Sequence, residues 1–315
     1  MLIDTHCHLN FSRFEKHVEE IILRAKHAGV ECMVVPGTDV GTSKKAVAIA
    51  QNYEGIYAAV GIHPHHVFKF LSSSAMQFLS HESEKIAFAS ELAEIEKMMV
   101  NPKVVAIGEV GLDKHVYEKT VYNIPKVHPP SPKASEGQGK VYQVDEEFIN
   151  LQKEIFIKQM ELAFKYKKAL IIHNREAKKD TLEILNKLFC HSRESGNPDL
   201  GLRRDDIRAV FHCCEPDLEL LDFAKSHKMY IGVDGDVTFS KEKQEFIKKV
   251  PLEMLVLETD SPYLLPEPLK SQKLYPNEPK NVAIIAEFIA NLKFTPINQL
   301  IDVTTENAKR LFSIG

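Results

Sequence analysis

Residues 169–174 have the sequence Ala-Leu-Ile-Ile-His-Asn, four apolar residues followed directly by two polar ones. A brief apolar run without polar alternation predicts a parallel strand that is covered on both faces. Seven other runs share this character. The eight predicted strands are residues 2–3 (LI), 32–35 (CMVV), 56–60 (IYAAV), 104–107 (VVAI), 169–172 (ALII), 209–211 (AVF), 229–233 (MYIGV) and 254–257 (MLVL).

Segments with helical periodicity separate these strands, as at Phe148, Leu151 and Ile155, whose side chains fall on one apolar face. Strands that alternate with helices pair in parallel through right-handed crossovers. Eight such units predict a closed (β/α)8 barrel, an α/β fold. A doubly wound open sheet is the alternative, but no GxGxxG follows the first strand, which disfavours its dinucleotide-binding form.

The length of the chain fits one barrel with additions, because 315 residues exceed the ~250 of a typical barrel. We therefore expect a single domain over residues 1–315, with two insertions at about 114–145 and 190–206. The first is rich in Pro, Gly and Lys and follows the fourth strand, which predicts an extended loop over the mouth of the barrel. The second is predicted to be irregular and to lie on the opposite face.

Composition excludes several classes of protein. A net charge of −4 leaves no basic field over the whole surface, which excludes a protein that coats DNA. Five irregularly spaced cysteines without a CxxC pair predict neither a disulfide framework nor a structural zinc site. There is no apolar run of the ~18 residues that a membrane span needs, so we expect a cytoplasmic protein without a membrane partner. No obligate protein partner is indicated.

Ionisable residues collect where five of the predicted strands end. In a barrel these carboxyl ends form the mouth, where active sites lie. A lone histidine or aspartate there is usually a solvated polar residue, but burying a whole group is costly unless its members neutralise each other or bind metal. His6 and His8 are two residues apart on one strand and therefore point to the same side. The six predicted ligands are His6, His8, Glu109, His173, His212 and Asp260.

All six candidates offer nitrogen or oxygen, which predicts divalent ions such as Zn, Mg or Mn and disfavours an iron–sulfur cluster. Their number suggests two adjacent ions, which in known sites lie ~3.5–4 Å apart and act together on an ester.

These segments resemble the TatD-type metal-dependent hydrolases, a branch of the amidohydrolase-like barrels. The resemblance covers nearly the whole chain. It is carried by residues 4–9 (DTHCHL), 60–65 (VGIHPH), 107–113 (IGEVGLD), 172–177 (IHNREA), 257–264 (LETDSPYL), 277–279 (NEP) and 304–308 (TTENA).

The resemblance implies a (β/α)8 barrel and a deoxyribonuclease that cleaves the phosphodiester bonds of DNA with two divalent ions. Transferred by position, it implies one ion held by His6, His8 and Asp260, and a second held by His173 and His212, with Glu109 between them. Water whose pKa is lowered by the ions would attack phosphorus. Asp260 would also accept the proton of that water, which makes Asp260 and Glu109 the predicted catalytic residues.

Two further residues are candidates for substrate binding. His63 follows the third strand and is expected either to contact the scissile phosphate or leaving group, or to cap the loop before Pro64. Arg175 is expected to pair with a phosphate through its forked guanidinium, or else to form a surface ion pair with Glu176 or Asp180.

One turn departs from the family pattern. After His212, the usual small, aromatic and glycine-containing turn is replaced by Cys213-Cys214-Glu215-Pro216. This change predicts an acidic side chain near the mouth of the substrate site, and it leaves the substrate less determined than the metal.

Two other functions remain open. The same metal pair suits a different ester or an amide, such as an aminoacyl ester on tRNA. A barrel that keeps its metal but only binds is the second alternative. The presence of all six predicted ligands gives that alternative no support.

Overall fold

In a computed structural model of the chain, residues 1–70, 81–116, 126–127, 143–144, 146–194 and 208–315 are described. Eight strands form one parallel sheet, and two more form a short antiparallel ladder. The strands are β1 (Leu2–Asp4), β2 (Val30–Pro36), β3 (Ile56–Val60), β4 (Val104–Asp113), β5 (Lys126–Val127), β6 (Gln143–Val144), β7 (Ala169–Arg175), β8 (Ala209–Phe211), β9 (Tyr230–Val233) and β10 (Leu255–Leu257).

Helices cover the outside of the sheet in alternation with its strands. The α-helices of the described residues are α1 (Val18–His27), α2 (Val40–Asn52), α3 (His81–Met98), α4 (Glu146–Lys165), α5 (Lys178–Glu194), α6 (Leu218–Ser226), α7 (Lys241–Lys249), α8 (Val282–Leu292) and α9 (Ile297–Phe312). None of them combines the length and the apolar character that crossing a bilayer needs.

The large sheet runs in the order β1-β2-β3-β4-β7-β8-β9-β10, and its two edge strands meet. The Thr5 N–H donates to the Leu257 carbonyl at 2.9 Å, and the Asp260 N–H donates to the His6 carbonyl at 2.9 Å. The His8 N–H donates to the Ser261 carbonyl at 2.8 Å. These bonds join the first strand to the last, so the predicted (β/α)8 barrel is confirmed and the open sheet is excluded.

Apolar residues from the strands fill the interior of the barrel. Ile3, Val34 and Ile171 are at most 3% exposed and belong to one cluster with residues of α9, including Leu311 and Phe312. A larger cluster packs the strands against the surrounding helices. The last helix therefore closes one end of the barrel, and polar side chains collect at the other.

The fourth strand is longer than predicted, because it continues six residues past Ile107 to Asp113. Its pairing with β7 shifts register between Ile107 and Val110, which lets the ladder resume beyond Glu109. Gly111 is needed in the continued ladder: its φ is +146°, and a Cβ there would lie 1.9 Å from the His173 carbonyl oxygen. Because β4 continues in this way, Glu109 and Asp113 both lie on its last part, near the carboxyl end of the barrel strands.

The two predicted insertions lie largely outside the described residues. Within the first, Lys126 pairs with Val144 and Val127 with Gln143 in the β5–β6 ladder, which the sequence analysis does not predict. Within the second, α5 continues to Glu194. The expectation of irregular structure from residue 190 is therefore wrong for residues 190–194, which are helical.

Candidate metal centre

The seam between the first and last strands brings three predicted ligands together. His6 Nε2 and His8 Nε2 lie 3.2 Å apart, and both are buried. Asp260 Oδ1 lies 3.7 Å from His6 Nε2 and 3.4 Å from His8 Nε2. Two nitrogens that each bind one zinc ion at ~2.0–2.1 Å in tetrahedral geometry lie about 3.3 Å apart. The donor atoms present therefore fit a shared divalent ion.

Asp4 forms hydrogen bonds with both sides of this seam. Its Oδ1 accepts from the His6 N–H at 3.2 Å and from the Thr259 N–H at 3.0 Å, and its Oδ2 accepts from Thr259 Oγ1 at 2.6 Å. Burial raises the pKa of Asp4 to about 8, although these donors act in the opposite direction. Asp4 is not among the predicted site residues, since its role depends on Thr259 at the far end of the chain.

Glu109 presents its two carboxylate oxygens to different histidines. Oε2 lies 3.5 Å from His6 Nε2 and 3.9 Å from His8 Nε2. Oε1 lies 2.8 Å from His173 Nδ1 and 3.5 Å from His212 Nε2. Burial raises the pKa of Glu109, but the neighbouring histidines outweigh burial and hold that pKa well below its usual range. The side chain is therefore an anion between two groups of imidazoles.

His173 is held at both ring nitrogens. Nδ1 faces Glu109, and Nε2 lies 2.9 Å from Asp113 Oδ2. The same Asp113 oxygen lies 2.8 Å from His65 Nε2, so one buried carboxylate orients two imidazoles. Burial lowers the pKa of His173, but hydrogen bonds with Asp113 and Glu109 prevail and raise it to about 9. Asp113 lies beyond the predicted strand and is not a predicted site residue.

His212 stacks on His6, with ring centroids 3.5 Å apart and planes inclined by 15°. Its Nδ1 lies 3.2 Å from Glu258 Oε1, which also accepts from the Cys213 N–H at 2.5 Å. Burial lowers the pKa of His212, yet the charges of Glu258 and Glu109 raise it to about 10. Burial and the neighbouring His212 charge lower the pKa of His6.

His63 performs the capping role and also faces the centre. Its Nδ1 accepts a hydrogen bond from the His65 N–H at 3.1 Å, and its Nε2 lies 3.3 Å from Glu109 Oε1. Burial lowers the pKa of His63 to about 3, so the ring is neutral. Because Nδ1 accepts, the ring proton lies on Nε2, and this atom is a hydrogen-bond donor toward the centre.

A cavity of about 670 Å³ opens above these side chains. Arg175 is exposed at the end of β7 and lines this cavity, and Glu215 lines it as well, as expected for the altered turn. Asp180, one of the surface partners expected for Arg175, forms ion pairs with Lys114 and Lys153. Of the eight predicted site residues, the cavity wall contains His8, His63, Glu109, His173, Arg175, His212 and Asp260, and His6 lies buried against them.

Cys213, Asp234 and Asp236 form another compact group of potential ligands beside the cavity. The buried Lys243 ammonium occupies this group, with Nζ 3.0 Å from Asp234 Oδ2 and 2.9 Å from Asp236 Oδ1. Burial lowers the pKa of Lys243, but the two carboxylates reverse this and hold it well above its usual range. The Lys243 ammonium thus takes the place between the two carboxylates that a cation would fill.

In the presence of a chelator, the protein is expected to become less stable as pH rises from about 6.5 toward 10. The pKa values of His173 and His212 are raised from 6.5 to about 9 and about 10. The folded protein therefore keeps protons that the unfolded chain releases. This stabilisation is complete below the unfolded pKa and is lost as pH passes through the folded values. Thermal unfolding followed by circular dichroism across this range measures it.

Other groups titrate in the same range, so the comparison between variants is decisive. His173→Asn should make the fall in midpoint with pH less steep than in the parent protein. His27→Asn, at an exposed histidine at the end of α1, should leave the fall unchanged. A parent midpoint that stays level or rises over this range would contradict the assignment of raised pKa values.

Comparisons with known proteins agree over the full length of the chain. The model of the family described as TatD related DNase matches residues 3–313. The uncharacterized metal-dependent hydrolase YabD of Bacillus subtilis is 34% identical over 317 residues, covering 100% of both chains. Human deoxyribonuclease TATDN3 is 28% identical over 320 residues, covering 99% of this chain and 94% of that protein.

A solved structure gives the same picture. The crystal structure of YJJV, a TatD homolog from Escherichia coli K12, matches with a TM-score of 0.72 and 25% sequence identity, covering 100% of this chain and 98% of that one. The predicted family and the predicted class of enzyme are both confirmed. The chain belongs to the TatD related DNase family and is a metal-dependent hydrolase.

Proposed function

We propose that the protein is a deoxyribonuclease that hydrolyses phosphodiester bonds of DNA with two divalent ions. His6, His8 and Asp260 would hold one ion, and His173 and His212 the other, with Glu109 between them. The observation that carries this proposal is the arrangement around Glu109, whose Oε2 faces His6 and His8 while Oε1 faces His173 and His212. Such a carboxylate is suited to bridge two cations, because each of its oxygens faces a different pair of imidazoles that could bind a metal ion.

Divalent ions in such a pair neutralise charge on phosphoryl oxygens and lower the pKa of an attacking water. The side chains divide the remaining work. Asp260 lines the cavity, and its Oδ1 accepts the proton of the water. His63 Nε2–H donates toward the phosphate or the leaving oxygen, and Arg175 pairs with a neighbouring phosphate from the cavity wall.

The donor atoms indicate a class of divalent ions and not one particular metal. The predicted donors are four imidazoles and two carboxylates, which suit Zn, Mg or Mn. We propose a cytoplasmic location for the protein, as the sequence predicts. One barrel domain over residues 1–315, with its two insertions, accounts for a family match that runs nearly end to end.

Hydrolysis of labelled single- and double-stranded oligonucleotides tests the proposal. Protein loaded with Mg, Mn or Zn should cleave DNA, and complete chelation should reduce the rate about 100-fold or more, because the ions supply several kcal/mol of transition-state stabilisation. Metal analysis of the active protein should find two ions per chain. Robust cleavage that persists after complete metal removal would exclude the mechanism.

Hydrolysis of an aminoacyl ester on tRNA is a second candidate. The observation that favours it is the Glu215 carboxylate on the cavity wall, which suits the ammonium group of such an ester. An assay on aminoacyl-tRNA, run beside the DNA assay with the same metals, decides between the two substrates. Faster hydrolysis of the aminoacyl ester would replace the first proposal.

A further inference from the structure

A second groove continues from the cavity above the metal centre. Its volume is about 640 Å³, within the usual range for ligand sites. Four residues line both spaces: Phe11, Thr38, His66 and Tyr263. The groove and the metal cavity are therefore adjacent and share these four residues as walls.

Aromatic rings line the groove on its exposed side. Tyr263 is 54% exposed and Tyr275 is 53% exposed. Phe11 stacks on His8, with ring centroids 4.2 Å apart and planes inclined by 13°, and its ring lies 6.4 Å from that of Tyr263. The aromatic surface thus begins at a predicted metal ligand and extends outward. Exposed rings beside a phosphodiesterase site are suited to stack on nucleic-acid bases.

The charge of the walls separates this groove from the other side of the cavity. Arg13 and Lys45 line the groove, and none of its described lining residues carries a carboxylate, although Lys45 also pairs with Glu15 at the surface. Outside the groove the cavity wall carries charges of both signs, with Glu215 and the Asp236–Lys243 ion pair beside Arg175. The groove therefore differs in offering a polyanion basic side chains without a carboxylate on its described walls, which favours a DNA strand in this direction.

We propose that the DNA strand leaves the metal centre along this groove, with an unpaired base next to the scissile phosphate stacked on Tyr263 and Tyr275. The following phosphate lies near Arg13. This inference rests on the proposed deoxyribonuclease function and adds to it a binding site for the neighbouring nucleotide. Tyr275 is the most informative residue, because it lines the groove and not the metal cavity.

The experiment compares two substrates and two variants. For single-stranded oligothymidine, Tyr275→Ala should raise KM about tenfold, as expected for the loss of one stacked base. For a fully abasic oligonucleotide, which has the phosphates but no rings to stack, kcat/KM should stay at the parent value. Tyr275→Phe keeps the ring and should behave like the parent protein on both substrates. Phe294→Ala, which removes an exposed ring elsewhere, serves as the matched control.

A substrate cycle identifies the base as the group that Tyr275 contacts. Replacing the base next to the scissile phosphate by an abasic site should raise KM by a larger factor for the parent protein than for Tyr275→Ala, in which only Tyr263 still stacks on that base. Equal KM values of parent and Tyr275→Ala on the intact oligonucleotide would overturn the inference. A parallel loss on the fully abasic oligonucleotide would also overturn it, because Tyr275 would then act on the metal centre or on the phosphates and not on a base.

Binding without catalysis separates this inference from the proposed function. With a chelator present, fluorescence anisotropy of labelled oligothymidine should show about tenfold weaker binding to Tyr275→Ala than to the parent. If the metal-loaded parent hydrolyses neither substrate, the proposed function fails. The difference in binding alone then tests whether the groove binds a nucleotide. Equal binding would overturn the groove as a nucleotide site.

Discussion

The Asp260→Asn variant is expected to lose about 10³- to 10⁴-fold in turnover while keeping its fold. Asp260 has a φ of +50°, and asparagine is among the few residues that adopt this left-handed conformation readily. Its backbone bond to the His6 carbonyl is therefore retained. The amide lacks the negative charge that faces His6 and His8, and it does not accept a proton from water. Turnover on single-stranded DNA and the thermal midpoint measure both effects.

Asp302→Asn provides the matched control for this variant. Asp302 is exposed on α9, so the same chemical change there should leave turnover unaltered. If Asp260→Asn retained near-parent turnover, Asp260 would be neither a ligand nor the proton acceptor.

The second large effect is expected for Glu109→Gln. A glutamine presents one oxygen and one amide nitrogen, so it cannot offer an anionic oxygen to each of the two histidine groups that Glu109 now faces. We expect the variant to retain fewer than two ions per chain and to lose roughly 10³-fold or more in kcat/KM. Metal analysis after gel filtration and steady-state kinetics on DNA measure the two effects.

The same substitution at Glu161, which is exposed on α4 and paired with Lys158, should change neither metal content nor kcat/KM. Two ions per chain together with parent activity in Glu109→Gln would show that Glu109 does not join the ions. Loss of activity with both ions kept would instead assign Glu109 to a step other than metal binding, and would overturn the bridging role.

Much of the architecture is predictable because each strand is a local feature of the sequence. The run at residues 169–172 forms the buried part of β7, and the polar residues that follow it lie at the mouth of the barrel. The positions of His6 and Asp260 follow from the same logic, since both come after predicted strands and the ends of parallel strands converge.

What escapes prediction depends on contacts between distant parts of the chain. The shift of register after Ile107 carries β4 on to Asp113, and periodicity alone does not reveal such a shift. Asp113 consequently meets His65 and His173, which belong to other segments. The link between Asp4 and Thr259 joins residues 255 positions apart. The aromatic groove is equally non-local, because Phe11 and Tyr275 come from opposite ends of the chain.

The seam between β1 and β10 also affects when the enzyme becomes active. His6 and His8 are synthesised before the strand that pairs with them, and Asp260 follows that strand. A domain generally folds as a unit, so a closed barrel needs all of its strands. A nascent chain that stops before β10 thus contains both histidines but no complete centre. Completion of the metal centre therefore depends on the synthesis of the last strand and of Asp260 after it.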